Sequence, residues 1–168
     1  MTEIRINIPY LFNLVNQRSL YVADHVDPEI SRNTIEKIPL TMDEYDAFLV
    51  LMRNGATEVF KKISRLSYNI VAPFTYETVE ADVDVEATTN ILYKVVFGDT
   101  QQTEIIIPII TDNIQRALRA FIIMEWFKMK GVSTTQMQLD QYEWDYCTKE
   151  LSSIKDYSKR AKVKYHYF

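Results

Sequence analysis

Three glutamates pose the first chemical question. Glu125 interrupts the apolar run "RALRAFIIMEWFKMKG" at 116–131, and Glu143 and Glu150 stand seven residues apart in the next helical stretch. Carboxylates on adjacent helices can bridge a pair of metal ions. That chemistry also uses a Glu-x-x-His pair one turn apart on a helix, and the chain has none. Glutamates paired with Arg or Lys across a helix seam are the plainer reading. The single thiol, Cys147, falls on an apolar arc and reads as a small core residue. His25 and His166 stand in unrelated contexts, a loop and the chain's last residues. Glycines occur at 55, 98 and 131, too scattered to bring backbone N–H groups around a phosphate. The expectation is a non-enzymatic chain with no catalytic residue, cofactor or metal. A metal-carboxylate enzyme built on Glu125, Glu143 and Glu150 is the chemical alternative.

Charge offers a different kind of site. Glu77, Glu80, Asp82, Asp84 and Glu86 place five carboxylates within ten residues with no basic residue among them. In "TVEADVDVEA" (78–87) Glu80, Asp82, Asp84 and Glu86 alternate with apolar residues, the period of a strand with one wet face. Calcium takes clustered oxygens, but one flat strand face does not wrap an ion. A solvated face and an electrostatic docking strip are the two remaining readings. Lys149, Lys155, Lys159, Arg160, Lys162 and Lys164 crowd the other end of the chain. Opposite charge on two separate surfaces lets copies dock head to tail, and such contacts can close into rings. The basic residues also interleave with Tyr165, Tyr167 and Phe168, a pattern that suits non-specific contact with nucleic acid.

The elements that must position these groups follow from periodicity. The chain has 168 residues, 47% hydrophobic and 12% aromatic, enough for one domain spanning 1–168 with a real core. A net charge of −4 gives no global basic field. One cysteine excludes an internal disulfide framework and suits a reducing compartment. The first residues lack a signal peptide's apolar core, and no uncharged apolar stretch is long enough to span a membrane. A short helix is expected at 10–18 after Pro9, a short strand at "IEKIPL" (35–40), and a capping box at "TMDE" (41–44) opening a helix over 45–63. Strand 77–86 should turn near 87–90 into "NILYKVVFG". The next helix starts near 105 with Pro108 in its first turn, or afresh at Thr111. The last, about 135–160, turns an arc of Leu139, Tyr142, Tyr146, Cys147, Leu151, Ile154, Tyr157 and Ala161 inward, and a basic aromatic tail at about 161–168 suits an edge strand. The fold class is therefore α+β: three or four helices, two of them long and C-terminal, with a small antiparallel β element.

In the 116–131 helix, Arg116, Arg119 and Lys130 share a narrow wedge with apolar side chains on both flanks. Ile123, Trp126 and Phe127 belong to those flanks. One flank is expected to cover the subunit's own core and the other a neighbouring subunit, with at most one of Trp126 and Phe127 central in the core.

The order of "ILYKVVFG", "ITDNIQRALRAFIIMEWFKMKG", "QYEWDYCTKELSSIKDYSK" and "VKYHYF", over roughly residues 89–168, resembles the small head–tail connector proteins of tailed bacteriophages, particularly those of Bacteroidetes and crAss-like phages. The resemblance implies a virion protein of the phage neck, made in the bacterial host cytoplasm: a homo-oligomeric ring that binds the portal above and tail proteins below, with DNA passing through its lumen. It implies no catalytic residues, and acidic strand 77–86 is not part of its pattern. Candidate interface residues are Arg116, Arg119, Ile123, Trp126, Phe127, Glu80, Asp82, Asp84, Glu86, Lys155, Lys159, Arg160, Lys162 and Lys164. The alternative is a non-enzymatic monomeric or dimeric interaction module encoded by a phage or mobile element.

Overall fold

The structure, a computed structural model, describes residues 2–25, 37–64, 70–79, 88–95, 100–133 and 135–164, with side chains at Ile4, 6–25, 37–62, 108–133 and 135–153. The element order is β1 (Thr2–Asn7), α1 (Ile8–Asp24), a 3-10 turn (Met42–Glu44), α2 (Tyr45–Ser64), β2 (Ile70–Val79), β3 (Thr88–Val95), α3 (Thr100–Lys130) and α4 (Gln138–Lys164). The fold is mainly helical with a small antiparallel sheet ordered β1-β3-β2, the α+β class expected.

Each start and stop has a local cause. Asn7 ends β1 and caps α1, its side-chain oxygen accepting the Tyr10 N–H at 2.9 Å, and Pro9 occupies the first turn. The "TMDE" box forms: the Glu44 carboxylate accepts the Thr41 backbone N–H at 3.2 Å, and α2 follows. Gly131, at φ 71°, ends α3, with its N–H on Lys128 O and the Val132 N–H on Phe127 O. Gly55 admits a close approach of α2 to α3, since a Cβ there would lie 2.9 Å from Phe121 Cδ1.

Several expectations are corrected. Residues 88–90 are strand, not turn: Thr88, Thr89 and Asn90 pair with Val79, Thr78 and Glu77, as β-branched threonines extend a pleat readily. Only 77–79 of the acidic strand fall in β2, and 80–87 lie outside the described residues. α3 begins at Thr100 and runs through an exposed Pro108, so neither 105 nor Thr111 starts it. Pro108 has no N–H to give the carbonyl one turn back, so the helix forgoes one hydrogen bond there. Lys162 and Lys164 close α4 as a helix rather than forming an edge strand, which suits the negative end of its dipole; residues 165–168 lie outside the described residues.

α3 is the centre of the molecule. α1, α2, α4 and β1 all pack on it. Its buried residues Ile114, Leu118, Ile122, Ile123, Trp126 and Phe127 join Ile4 and Ile6 from β1, Leu11 and Phe12 from α1, Phe48 and Met52 from α2, and Cys147 and Leu151 from α4. Trp126 is 1% exposed and Phe127 0%, so the expectation that one of them is left for a neighbour is overturned. Ile123, also at 0%, lies in the same core. The charged wedge misled because three elements of the same chain flank it.

Of the strand expected at 35–40, residues 35 and 36 lie outside the described residues and 37–40 are irregular, although Ile38 and Leu40 are buried. No described strand lies beside them, so side chains take the place of a ladder. Ile38 O accepts the Trp126 Nε1–H at 2.7 Å. Leu40 O accepts Asn16 Nδ2–H at 2.6 Å, and its N–H donates to Ser19 Oγ at 2.9 Å. Buried backbone groups need such partners.

Trp126→Ala and Phe127→Ala are each expected to cost about 3–5 kcal/mol in urea unfolding, as for core aromatics. Trp126→Phe removes the hydrogen bond to Ile38 together with part of the buried ring, and is expected to cost about 2–4 kcal/mol.

Candidate functional site

The polar wedge of α3 emerges between α1 and α4. Arg116 Nε–H donates to Glu143 Oε1 at 3.0 Å, and Arg119 donates to Glu143 Oε2. Arg116 also lies 3.6 Å from Asp112. One α4 carboxylate thus takes two guanidinium groups from successive turns of α3. Glu143 retains 15% side-chain exposure. Burial pushes its carboxyl upward, but donation from Arg119 and Arg116 outweighs that and holds it below the ordinary carboxylate range. A second ion pair ties α4 to α1: Arg18 grips Asp140 at 3.3 and 2.9 Å and reaches Gln136 O at 3.4 Å.

These two pairs decide which face of α4 turns inward. Asp140, Cys147, Thr148 and Leu151 are buried there, with Glu143 beside them. Leu139 is 72% exposed, Tyr142 70% and Tyr146 44%. The inward arc expected from hydrophobicity is therefore about a quarter-turn off. Ile154, Tyr157 and Ala161 lie outside the described side chains. The outward residues form an ordered stripe. Tyr142 stacks on Tyr146, ring centres 6.5 Å apart and 19° between planes. Arg116 lies over the Tyr146 ring at 5.8 Å, within reach of a cation–π attraction. On the other side of the wedge, Tyr10 and Leu14 of α1 with Asp112, Gln115, Arg116 and Arg119 line an open cleft of about 310 Å³.

Two of the three candidate glutamates are engaged elsewhere. Glu143 serves the arginines, and Glu125 pairs with Lys128 at 2.6 Å. Among the described residues, no three His, Cys, Asp or Glu side chains gather to hold a metal. Burial pushes the Cys147 thiol upward, away from the reactive thiolate. His25 Nδ1 meets Tyr21 O at 2.7 Å, its ring stacks on Tyr21, and its backbone caps α1. Lys130, the third member of the wedge, pairs with Glu44 at 2.7 Å and lies over the Trp126 ring.

Of the expected interface residues, Arg116 and Arg119 come together while Ile123, Trp126 and Phe127 lie beneath in the core. Glu80, Asp82, Asp84 and Glu86 lie outside the described residues. Lys155, Lys159, Arg160, Lys162 and Lys164 fall on the last turns of α4, where positions 155, 159 and 162 share a face by spacing; their side chains lie outside those described. Sequence reasoning missed Tyr10, Arg18 and Asp140, because Arg18 and Asp140 meet across 122 residues and leave no local period. No helix among the described residues is long and apolar enough to cross a membrane. Comparison with family models, curated proteins and solved structures finds no match.

Glu143→Gln is expected to lower stability by about 1–3 kcal/mol, reduced by the partial exposure of both arginines. Because folding depresses the Glu143 pKa, its contribution is complete above the ordinary carboxylate range and is lost as pH falls through the depressed value. Unfolding midpoints from neutral to acid pH should therefore drop less steeply in Glu143→Gln than in the parent chain.

Proposed function

We propose that this chain is a non-enzymatic structural subunit whose work is to dock other protein surfaces, and that it serves in a homo-oligomeric element of a phage neck. The stripe of Leu139, Tyr142 and Tyr146 carries this reading. Its aromatic rings stand in water yet are held in one geometry by mutual stacking and by Arg116, itself fixed by Glu143. Tyr and Arg dominate the energetic centres of protein interfaces, and pre-ordered side chains lose little entropy on binding. The engagement of Cys147, Glu125, Glu143 and His25 in the fold supports a role without catalysis. The resemblance to head–tail connectors supplies the particular setting, portal above and tail proteins below. The acidic residues Glu80, Asp82, Asp84 and Glu86 and the basic end of α4 are proposed as further docking surfaces, with DNA in the channel a non-specific neighbour of the latter.

Tyr142→Ser with Tyr146→Ser tests the stripe. As exposed substitutions they are expected to move stability by about 0.5 kcal/mol or less each. Incorporation into particles in a phage complementation assay, read by mass spectrometry of purified virions, is expected to fall sharply. Normal incorporation of the double variant would remove the stripe from the docking surface. Absence of the parent chain from purified virions would remove the phage-neck setting.

A further inference from the structure

The two edges of the sheet are built differently. β2, at one edge, contains Pro73, which has no N–H to offer a neighbour, and its pairing with β3 slips between Ile70 and Ala72 and again between Ala72 and Thr75. Proline and bulges are the usual means by which an edge strand is closed to further pairing. β1, at the other edge, has neither. It pairs with β3 in an unbroken register from Thr2↔Val95 to Asn7↔Asn90. Alternate residues of such a strand turn their N–H and C=O groups away from β3, and among the described residues no other strand meets them.

The sequence of β1, TEIRIN, says what fits there. Ile4 and Ile6 are each 1% exposed and fix one face of the strand inward, so positions 3 and 5 fall on the opposite face. When β1 is laid antiparallel on β1 of a second copy, Ile4 opposite Ile4 places Glu3 opposite Arg5 and Arg5 opposite Glu3. A shift by one residue sets unlike faces together. A shift by two sets either Glu3 against Glu3 or Arg5 against Arg5, and like charges directly opposite are unfavourable. One register alone pairs both charges.

We propose that the β1 edge is the interface of a two-fold dimer, in which β1 of one copy pairs with β1 of another and joins the two three-stranded sheets into one. The contact is isologous, so it closes on itself and leaves no strand edge to propagate. It uses neither the α4 stripe nor the connector resemblance, and since a two-fold pair reverses one subunit against the other, it is a contact of the free chain and not of neighbours in a polar ring.

Sedimentation velocity of the full chain over a concentration series tests it. The parent protein is expected to show a reversible monomer–dimer equilibrium. Glu3→Arg and Arg5→Glu each turn both cross-strand pairs repulsive, and each is expected to weaken dimerisation about tenfold or more. Their equimolar mixture again sets Arg opposite Glu at both pairs and is expected to recover parental affinity as a heterodimer. Circular dichroism of the dilute variants confirms that each subunit stays folded. Amide exchange gives an independent reading: alternate β1 amides should become protected as concentration rises. A parent chain that stays monomeric at its highest soluble concentration would overturn the proposal. So would a dimer indifferent to both substitutions, a mixture that fails to recover, or a dimer lost in the Tyr142→Ser, Tyr146→Ser variant, which would place the contact on α4.

Discussion

Glu143 is a largely buried carboxylate, and it stays ionised because two cations meet it. α3 packs against α1, α2, α4 and β1, and Arg116 and Arg119 occupy the gap those elements leave. Burying a carboxylate without a partner costs several kcal/mol. The two guanidinium groups, themselves partly exposed, remove that cost by donating to both oxygens of Glu143. The rotation of α4 about its axis follows from this. With Glu143 turned toward α3 and Asp140 toward Arg18, Cys147 and Leu151 enter the core and Leu139, Tyr142 and Tyr146 are left outside. The surface best suited to a partner is thus a consequence of how a buried charge is satisfied.

The opposite end of α3 shows the same pairing of buried polar groups. Trp126 fills core volume and gives its one donor to the carbonyl of Ile38. Ser19 and Asn16 of α1 serve both backbone groups of Leu40. An irregular segment can then be buried, which neither helix nor sheet hydrogen bonding would have allowed. Glu44 completes the join, accepting the Thr41 N–H at the start of α2 and the Lys130 ammonium at the end of α3. Burial raises its carboxyl pKa and these contacts lower it further than that, leaving it below the ordinary range. Its contribution, like that of Glu143, is present above that range and fades in acid.

Periodic and local signals were legible in the sequence. The apolar spacing over 45–63 marked α2, whose Phe48, Met52, Ala56 and Val59 are buried. The Thr41–Glu44 box and Gly131 marked helix boundaries, and "NILYKVVFG" announced β3, whereas β1 and most of β2 were missed. What periodicity hid were the places where charge faces inward. Glu143 was expected to pair across a helix seam and does, but an arc centred on the tyrosines, blind to the Arg18–Asp140 pair, rotates α4 by about a quarter-turn and buries tyrosines that are in fact exposed. The period-two apolar pair Ile38 and Leu40 looked like a strand because the side chains that replace its ladder come from Ser19, Asn16 and Trp126, far away in sequence. The apolar flanks of the arginine wedge suggested a second subunit, whereas α1, α2 and α4 of the same chain cover them.

The claim on which the rest turns is that the Glu143 clamp faces α4 inward at Cys147 and outward at Tyr142. Thiol titration of Tyr142→Cys in dilute, native protein tests it most directly, since Cys147 serves as the internal control. One thiol should react at the rate of a free cysteine, and the second only when the protein unfolds. Protection of both thiols in the native state would mean that α4 turns its aromatic arc into the core, and with it the clamp, the stripe and the docking surface would fall.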